Sequence, residues 1–479
     1  MMGLKRKCRV HMLGRILGFA LCCGLPGPVD AQAQYHHLDV AVHASSWYST
    51  GSAHIEEVAQ AAAAMGFDAL ILTDADVLQV EYGLPFFRNI FAFSSEQPAL
   101  LSENALGDYL AEIQRVDETM ENFVLIDGVE SRPFYFWSNI FGGGPWQLQH
   151  WNKRQIAVGL GSAQAYAGLP VSGGDGIWLW HWTSILLLWP LAGLAFAFVA
   201  DAKPLWLRAA VGAISLLCLV NNMPFKVPLW GAYNGDLGPA PFQQYIDEVN
   251  QRGGLVFWVA PDKRETVELF GGRIGAVCPP STMEGDLLHT FDYTGFAALH
   301  AGHSRLAEPG QAWDRALHQY LLQERARPPW GIGDANYQGG ALAGARTIVL
   351  ARERSRRGVL EALRSGRMYA TMGEGKLALE QFAVVAQGEQ GLAGQHIESS
   401  GPVRVQARVA AAEGTVLQLR LRLVRSGEVI AEQTGMTPLS FAYVDKDIGP
   451  GQRVYYRLLI NSQSDRLVSN PIFVRKASR

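Results

Sequence analysis

The sequence predicts an α/β chain that is interrupted by an apolar helical hairpin and closed by an antiparallel β-sandwich. Three observations predict it. A buried strand, a helix and a second buried strand follow one another within residues 38–76, the sign of a parallel βαβ unit. Residues 177–200 contain no Asp, Glu, Lys or Arg, and residues 205–220 form a second apolar run. Near the C-terminus VLQLRLRLV alternates sharply, as a half-buried strand does.

At 479 residues the chain is long enough for two or three domains, each with its own core. Formal net charge is −3 and no basic block follows the N-terminus, which speaks against nucleic-acid binding through a basic face. The first 33 residues read as a secretory signal: Lys5, Arg6, Lys7, Arg9 and Arg15 are a basic region, residues 16–25 an apolar core, and Val29-Asp30-Ala31 a cleavage region. An uncleaved anchor is the alternative, but the apolar core is short for a span. Of the five cysteines, Cys8, Cys22 and Cys23 lie in that signal and Cys218 in the second apolar run. Cys278 is left without a disulfide framework or a zinc cluster to join, and reads as an inert thiol.

In chain order, LDVAVHAS is a strand that delivers His43 at its end, and SWYSTGS is a turn. Ser52 is expected to cap a helix over residues 54–65, with Glu56 and Glu57 in its first turns and Gly66 as its stop. FDALILTDAD is the second strand, ending in Asp74 and Asp76. A histidine and two carboxylates thus share one rim, where α/β folds usually keep their chemistry. The aromatic connection VLQVEYGLPFFRNIFAF reads as a lid over the rim, a surface resting on lipid, or a packed segment. A helix is expected near residues 105–120, then the strand NFVLIDGVE ending in Glu130. Residues 141–176 are rich in Gly, Trp and Pro and show little periodicity.

The apolar run over 177–200 has the length of a bilayer-spanning helix, about 20 residues. Trp178, Trp180 and Trp182 cluster at one end, and Arg208 stands near the start of the shorter second run. A buried helical hairpin is the alternative. The α/β pattern resumes after Met223, so both flanks belong on one side of a membrane, which two crossings satisfy. With export by the signal, Lys203 and Arg208 fall at a cytoplasmic turn, in keeping with the positive-inside rule, and the bulk of the chain is extracytoplasmic (periplasmic). Beyond it come an amphipathic helix ending at Gly253, the strand LVFWVAP, a strand carrying His300 and His303, a helix with Trp313, Leu317, Tyr320 and Leu321 on one face, and PPWGIGDANY. In the C-terminal stretch Leu417, Leu419, Leu421 and Leu423 share one face, and Ser426-Gly427 is a two-residue turn. Packing is its expected role.

The order of these features resembles the polymerase and histidinol phosphatase (PHP) superfamily. There a strand ending in His-x-His leads through a Ser-x-Gly turn and a helix to a strand ending in Thr-Asp-His-Asp. Ser49-Thr50-Gly51 and Thr73-Asp74-Ala75-Asp76 occupy those places here. Gly128-Val129-Glu130 is similar to the motif that supplies a bridging glutamate, and Asp334-Ala335-Asn336 to a closing Asp-x-His. RRGVLEALRSGRMYATMG is similar to a segment that follows the barrel. The resemblance covers residues 36–375 apart from the hairpin, and implies a distorted (β/α)7 barrel whose strand ends hold two or three metal ions for phosphoester hydrolysis. The chain then divides into a signal (1–33), a first barrel part (34–176), a transmembrane hairpin (177–222), a second barrel part (223–375) and a β-sandwich (376–479).

The departures concern the metal ligands. Either His43 is the first histidine and Ser45 replaces the second, or Ala41 replaces the first and His43 is the second. Ala75, Ala260 and Asn336 stand where further histidines are implied, and NKRQIAVGLG offers none. The surviving metal candidates are His43, Asp74, Glu130 and Asp334, with Asp76, His300 and His303 as recruits. Such a set suits one divalent cation, Mg, Mn or Zn, or none. Each residue also has a plainer reading: Asp74 capping the next helix, Glu130 pairing with Arg132 or another cation, His300 and His303 as polar rim residues. Two functions follow. One is a membrane-anchored binding or scaffolding module that has lost hydrolysis. The other is a reduced phosphoesterase acting on a small phosphorylated ligand or an envelope component. The lipid bilayer is the expected partner of either.

Overall fold

The computed structural model describes residues 34–478 apart from 86, 103, 140–143, 173–181, 201, 223–229, 260–264, 270–271, 273, 281–282, 301–304 and 338–343. The secretory signal, Trp178, Trp180, Ala260 and His303 therefore lie outside the described residues.

The parallel βαβ unit forms as its pattern dictates. The strand His36–Ala44 pairs in parallel with Ala69–Leu72, and the latter with Val124–Ile126. Ala69–Leu72, Val124–Ile126 and the stretch of the first strand from Val40 to Val42 are apolar because helices cover one face and core side chains the other. The helix between the first two runs over Ile55–Ala64. Its start is closed by the Glu57 carboxylate, which accepts the His54 N–H at 3.0 Å, so the cap lies at His54 rather than at Ser52. Gly66 follows with φ +80°, a left-handed stop that glycine takes without a Cβ penalty.

The strand path then continues as Asp74–Ala75 parallel to Gly128–Ser131. Arg154–Val158 comes next, antiparallel to Gly128–Ser131 on one side and to Leu255–Val259 on the other. Leu255–Val259, Gly295–Leu299 and Trp330–Gly333 follow in parallel. Past Gly333 the pairing returns to the strand where it began: Ala335 N–H donates to Val42 O at 2.9 Å and Tyr337 N–H to His43 O at 3.0 Å. One continuous hydrophobic core, from Val40 through Trp258 and Trp313 to Ile332, fills this circuit and its helices.

Three segments differ from their sequence reading. The aromatic connection contains a β-hairpin, Gln79–Gly83 against Ala92–Glu96, whose short strands are obscured by the aromatic residues of the turn between them. The weakly periodic stretch contains the fully buried strand Arg154–Val158. The first apolar run is not one long helix. Its described part is a 3₁₀ stretch, Trp182–Leu188, followed by an α-helix over Pro190–Val199. Pro190 is the reason, since a proline inside an α-helix removes a hydrogen bond and clashes with the preceding turn. The second run is the longer helix, Leu205–Asn222, and it is the one long and apolar enough to cross a membrane among the described residues. Its 18 residues give a length of about 27 Å. The two helices pack closely, for a Cβ on Gly193 would strike the Ser215 hydroxyl and one on Gly212 would press on Ala197.

The C-terminal region has two packed sheets around a second core that includes Phe382, Val405, Leu419, Leu421, Leu423 and Leu458. Ser426 and Gly427, both at positive φ, make the tight turn between Gln418–Arg425 and Glu428–Met436. The pairing is antiparallel except between His396–Ser399 and Ile472–Lys476, which run parallel. One sheet is shared with the α/β part, because Ala345–Ala351 pairs with the first strand and Met368–Met372 pairs with Arg466–Ser469. A buried ion pair reinforces the junction: Arg457 donates from Nε and Nη2 to the Asp314 carboxylate at 2.7 and 2.6 Å.

Candidate functional site: a buried charge network at the strand ends

The ends of the parallel strands converge on one rim, and the sequence-predicted residues meet there. His43 sits where the first strand breaks register, at φ +72°, a strained backbone state for a non-glycine residue. The break turns its ring across the rim. Nδ1 lies 2.9 Å from Asp334 Oδ1, and Nε2 lies 2.9 Å from Glu130 Oε2. His300 Nδ1 lies 3.0 Å from Asp334 Oδ2. Asp334 Oδ1 also accepts the Asn336 N–H at 3.0 Å. Residues from the beginning, middle and end of the α/β part are thus brought within one network.

Asp74 and Asp76 occupy the same rim with other partners. Asp74 accepts the Ser46 N–H and hydroxyl at 2.8 and 2.9 Å and the Ser49 hydroxyl at 2.7 Å. It therefore organises the Ser46–Ser49 turn instead of capping the following helix. Asp76 accepts from the Ser131 hydroxyl and, at 2.7 Å, from the Val77 N–H. Ser45 turns its hydroxyl to Tyr337 O, while Ala41 is buried in the core.

Two arginines complete the network. Arg132 Nη2 lies 3.1 Å from Glu130 Oε1 and Arg154 Nη1 lies 3.3 Å from Glu130 Oε2. Arg154 also reaches Glu265 Oε1 at 2.6 Å. The Arg132 guanidinium stacks over the Trp151 ring, 4.8 Å from its centre. The pairing of Glu130 with Arg132 had a signal in the sequence, since Arg132 stands two residues on, just past the strand's end at Ser131. Arg154 had none. It reaches the rim because its strand runs antiparallel to its neighbours, so the start of that strand meets the ends of the others.

The electrostatics follow from burial and pairing. Glu130 is 5% exposed, Asp334 1% and His43 6%. Burial disfavours the charge on His43, but the carboxylates of Asp334 and Glu130 outweigh it and hold the imidazole up at about 10. Burial likewise opposes ionisation of Glu130. Arg154, Arg132 and His43 overcome this and hold its carboxyl well below the usual range. Asp334 is also held low against its burial, by His43 and His300. Among the described residues neither Asp74 nor Asp76 is in an ion pair, though the Arg132 charge acts on Asp76 from nearby. Burial raises them to about 6 and about 7, against the hydrogen bonds from Ser49 and Ser46 and from Ser131.

A divalent metal needs clustered lone pairs, and this donor set presents few. Both His43 nitrogens face carboxylates, at 2.9 Å each. Both Glu130 oxygens are committed, one to Arg132 and the other to His43 and Arg154. The oxygens of Asp74 are taken by serine donors. Among the described residues no group of three or more His, Cys, Asp or Glu is arranged to hold a metal ion. The residues as placed therefore do not fit the implied metal cluster. Cys278, opposite Glu265 on the neighbouring strand, is buried, and that burial pushes its thiol up to about 12.

No family model matches the chain, and no curated protein matches it. Among solved structures it is similar to a two-domain protein described as containing a predicted PHP-like metal-dependent phosphoesterase from Bacteroides vulgatus. That match has 12% identity and a TM-score of 0.35, and covers 90% of this chain and 96% of the other. An engineered protein matches at 9% identity and a TM-score of 0.15, over 92% and 95% of the two chains. Scores at this level carry no inference about activity.

Proposed function

We propose that the chain is a membrane-anchored binding module of PHP-like architecture, in which protein cations take the place of catalytic metals. On this reading the circuit of strands is the distorted seven-membered barrel, and the two apolar helices are a hairpin that anchors it from the extracytoplasmic side. The observation that carries the proposal is the network of His43, Arg132 and Arg154 around Glu130. Phosphoester hydrolysis of the implied kind needs metal ions to generate a nucleophile and neutralise developing charge. Here the charges of Glu130 and Asp334 are balanced by residues that can neither activate water as a Lewis acid nor leave the site. The rim is thereby rigid and preorganised, which suits recognition of a ligand or an envelope partner better than turnover.

A reduced hydrolase is the second reading. It is favoured by Asp74, Asp76, Asp334 and His300, which remain at the rim, two of the carboxylates outside any ion pair among the described residues.

Elemental analysis of the detergent-purified protein decides between them, beside an Asp74→Ala/Glu130→Ala control. Substoichiometric Mn, Zn and Fe, with a melting temperature unmoved by added Mg²⁺ or Mn²⁺, is the expected result. Stoichiometric metal that disappears in the control overturns the proposal and calls for a screen of phosphorylated substrates.

A further inference from the structure

The β-hairpin within residues 79–96 has no role in the rim network and is exposed where apolar residues are normally hidden. Leu84 is 40% exposed, Phe91 51% and Phe93 38%. It is also polar and apolar in the right order along its length. Its open end pairs Gln79 with Glu96 and Glu81 with Ser94, whereas its tip, beyond the Gly83–Ala92 pair, carries Leu84, Phe87, Arg88 and Phe91.

The tip is tied to the end of the long apolar helix. Asn89 N–H donates to Asn221 Oδ1 at 3.2 Å, and Asn89 Nδ2 donates to Asn221 O at 2.6 Å. At the same level Asn222 Nδ2 donates to Leu187 O at 2.7 Å, next to Leu186 and Trp189, which are 71% and 61% exposed. Three separate stretches of chain are thus held together where the apolar helices leave their polar ends, and each presents apolar side chains outward. Arg88 is exposed at the tip, with its guanidinium 3.9 Å from the centre of the Tyr233 ring.

We propose that the tip of this hairpin is a second membrane contact, seated at the boundary between acyl chains and headgroups beside the helical hairpin. The inference rests on the membrane-anchored reading above. Aromatic and long aliphatic side chains with an adjacent arginine are what that boundary accepts, the rings in the acyl edge and the cation among phosphates. Glu81 and Glu96, at the other end of the hairpin, face water. The consequence is geometric. Two contacts, one spanning and one interfacial, fix the orientation of the globular part on the bilayer, where a spanning pair alone leaves it free to tilt.

The test uses the full chain in phosphatidylcholine/phosphatidylglycerol vesicles, with its native cysteines replaced by alanine. Nitroxide labels are placed singly at Phe91→Cys, Phe93→Cys, Ile214→Cys and Val416→Cys, all exposed positions, and collisions with oxygen and with a water-soluble nickel chelate are compared. The proposal requires that labels at 91 and 93 lose nickel collisions and gain oxygen collisions, as at 214, while 416 behaves as water-exposed. If 214 reports lipid but 91 and 93 match 416, the second contact is refuted and the anchor stands. If 214 also reports water, the anchored reading fails and takes this inference with it.

Discussion

Glu130→Gln tests the charge network most directly. The substitution keeps size and shape but removes the one negative charge that faces three cations at 2.9, 3.1 and 3.3 Å. Breaking a buried ion pair by removing one partner costs about 3–5 kcal/mol, because a charge is left uncompensated out of water. The geometry places this case at the low end. His43 keeps Asp334, and Arg154 keeps Glu265. Arg132 alone loses its only ion-pair contact among the described residues. A loss of about 3 kcal/mol is therefore expected, roughly a hundredfold in the folding equilibrium. Urea unfolding of the detergent-purified protein, followed by far-UV circular dichroism with and without EDTA, measures it. The reasoning requires the same loss in both conditions and no effect of EDTA on the unsubstituted protein. If EDTA alone destabilises the unsubstituted protein as much as the substitution does, and the substitution adds nothing in EDTA, Glu130 was holding a metal and the cation network is wrong.

The other expectations use the same instruments. The imidazole of His43 is raised in the folded state, so its contribution is complete below its ordinary pKa near 6.5 and is lost as pH rises through about 10. Between those limits stability falls by about 1.4 kcal/mol per pH unit for the one proton involved, and His43→Gln should flatten that slope in urea midpoints measured from pH 6 to 10. Asp314→Ala leaves Arg457, 0% exposed, without its bidentate partner and should cost about 3–5 kcal/mol. The double variant Asp314→Leu/Arg457→Met should recover most of it, since replacing both ions by apolar groups is often neutral. Gly366→Ala places a methyl group about 2.5 Å from the Trp330 ring at φ +70°. It should cost about 1–3 kcal/mol from overpacking, with further strain from the left-handed backbone, visible as a lower melting temperature.

Much of the fold was legible because burial writes itself into apolar runs. The strands Ala69–Leu72, Leu255–Val259 and Gly295–Leu299 have both faces covered, so nothing interrupts their hydrophobic sequence. The alternation of Leu419, Leu421 and Leu423 likewise follows from one buried face. What escaped notice has a physical reason in each case. Arg154–Val158 opens with Arg-Gln, two polar residues that are nonetheless buried, the first of them paired with Glu130. The strands of the 79–96 hairpin were hidden by the same exposed aromatics that now define its tip. The break at Pro190 was outweighed by composition, since a run without charges reads as one span whatever its backbone can do.

The site was half legible for a related reason. A strand that ends in His, Asp or Glu after an apolar run announces a polar group at a rim, and His43, Asp74, Glu130 and Asp334 are all found there. The state of such a group is decided by its neighbours across the rim, and those come from distant parts of the chain. His43 and Asp334 are 291 positions apart. Arg154 enters from a strand of opposite direction, so it stands at the beginning of its segment, where a search for residues at strand ends does not look. Its position matters more than its type. A cation at that point is held 3.3 Å from Glu130. The chain's own cations, His43, Arg132 and Arg154, thus stand against Glu130 from three separate strand ends.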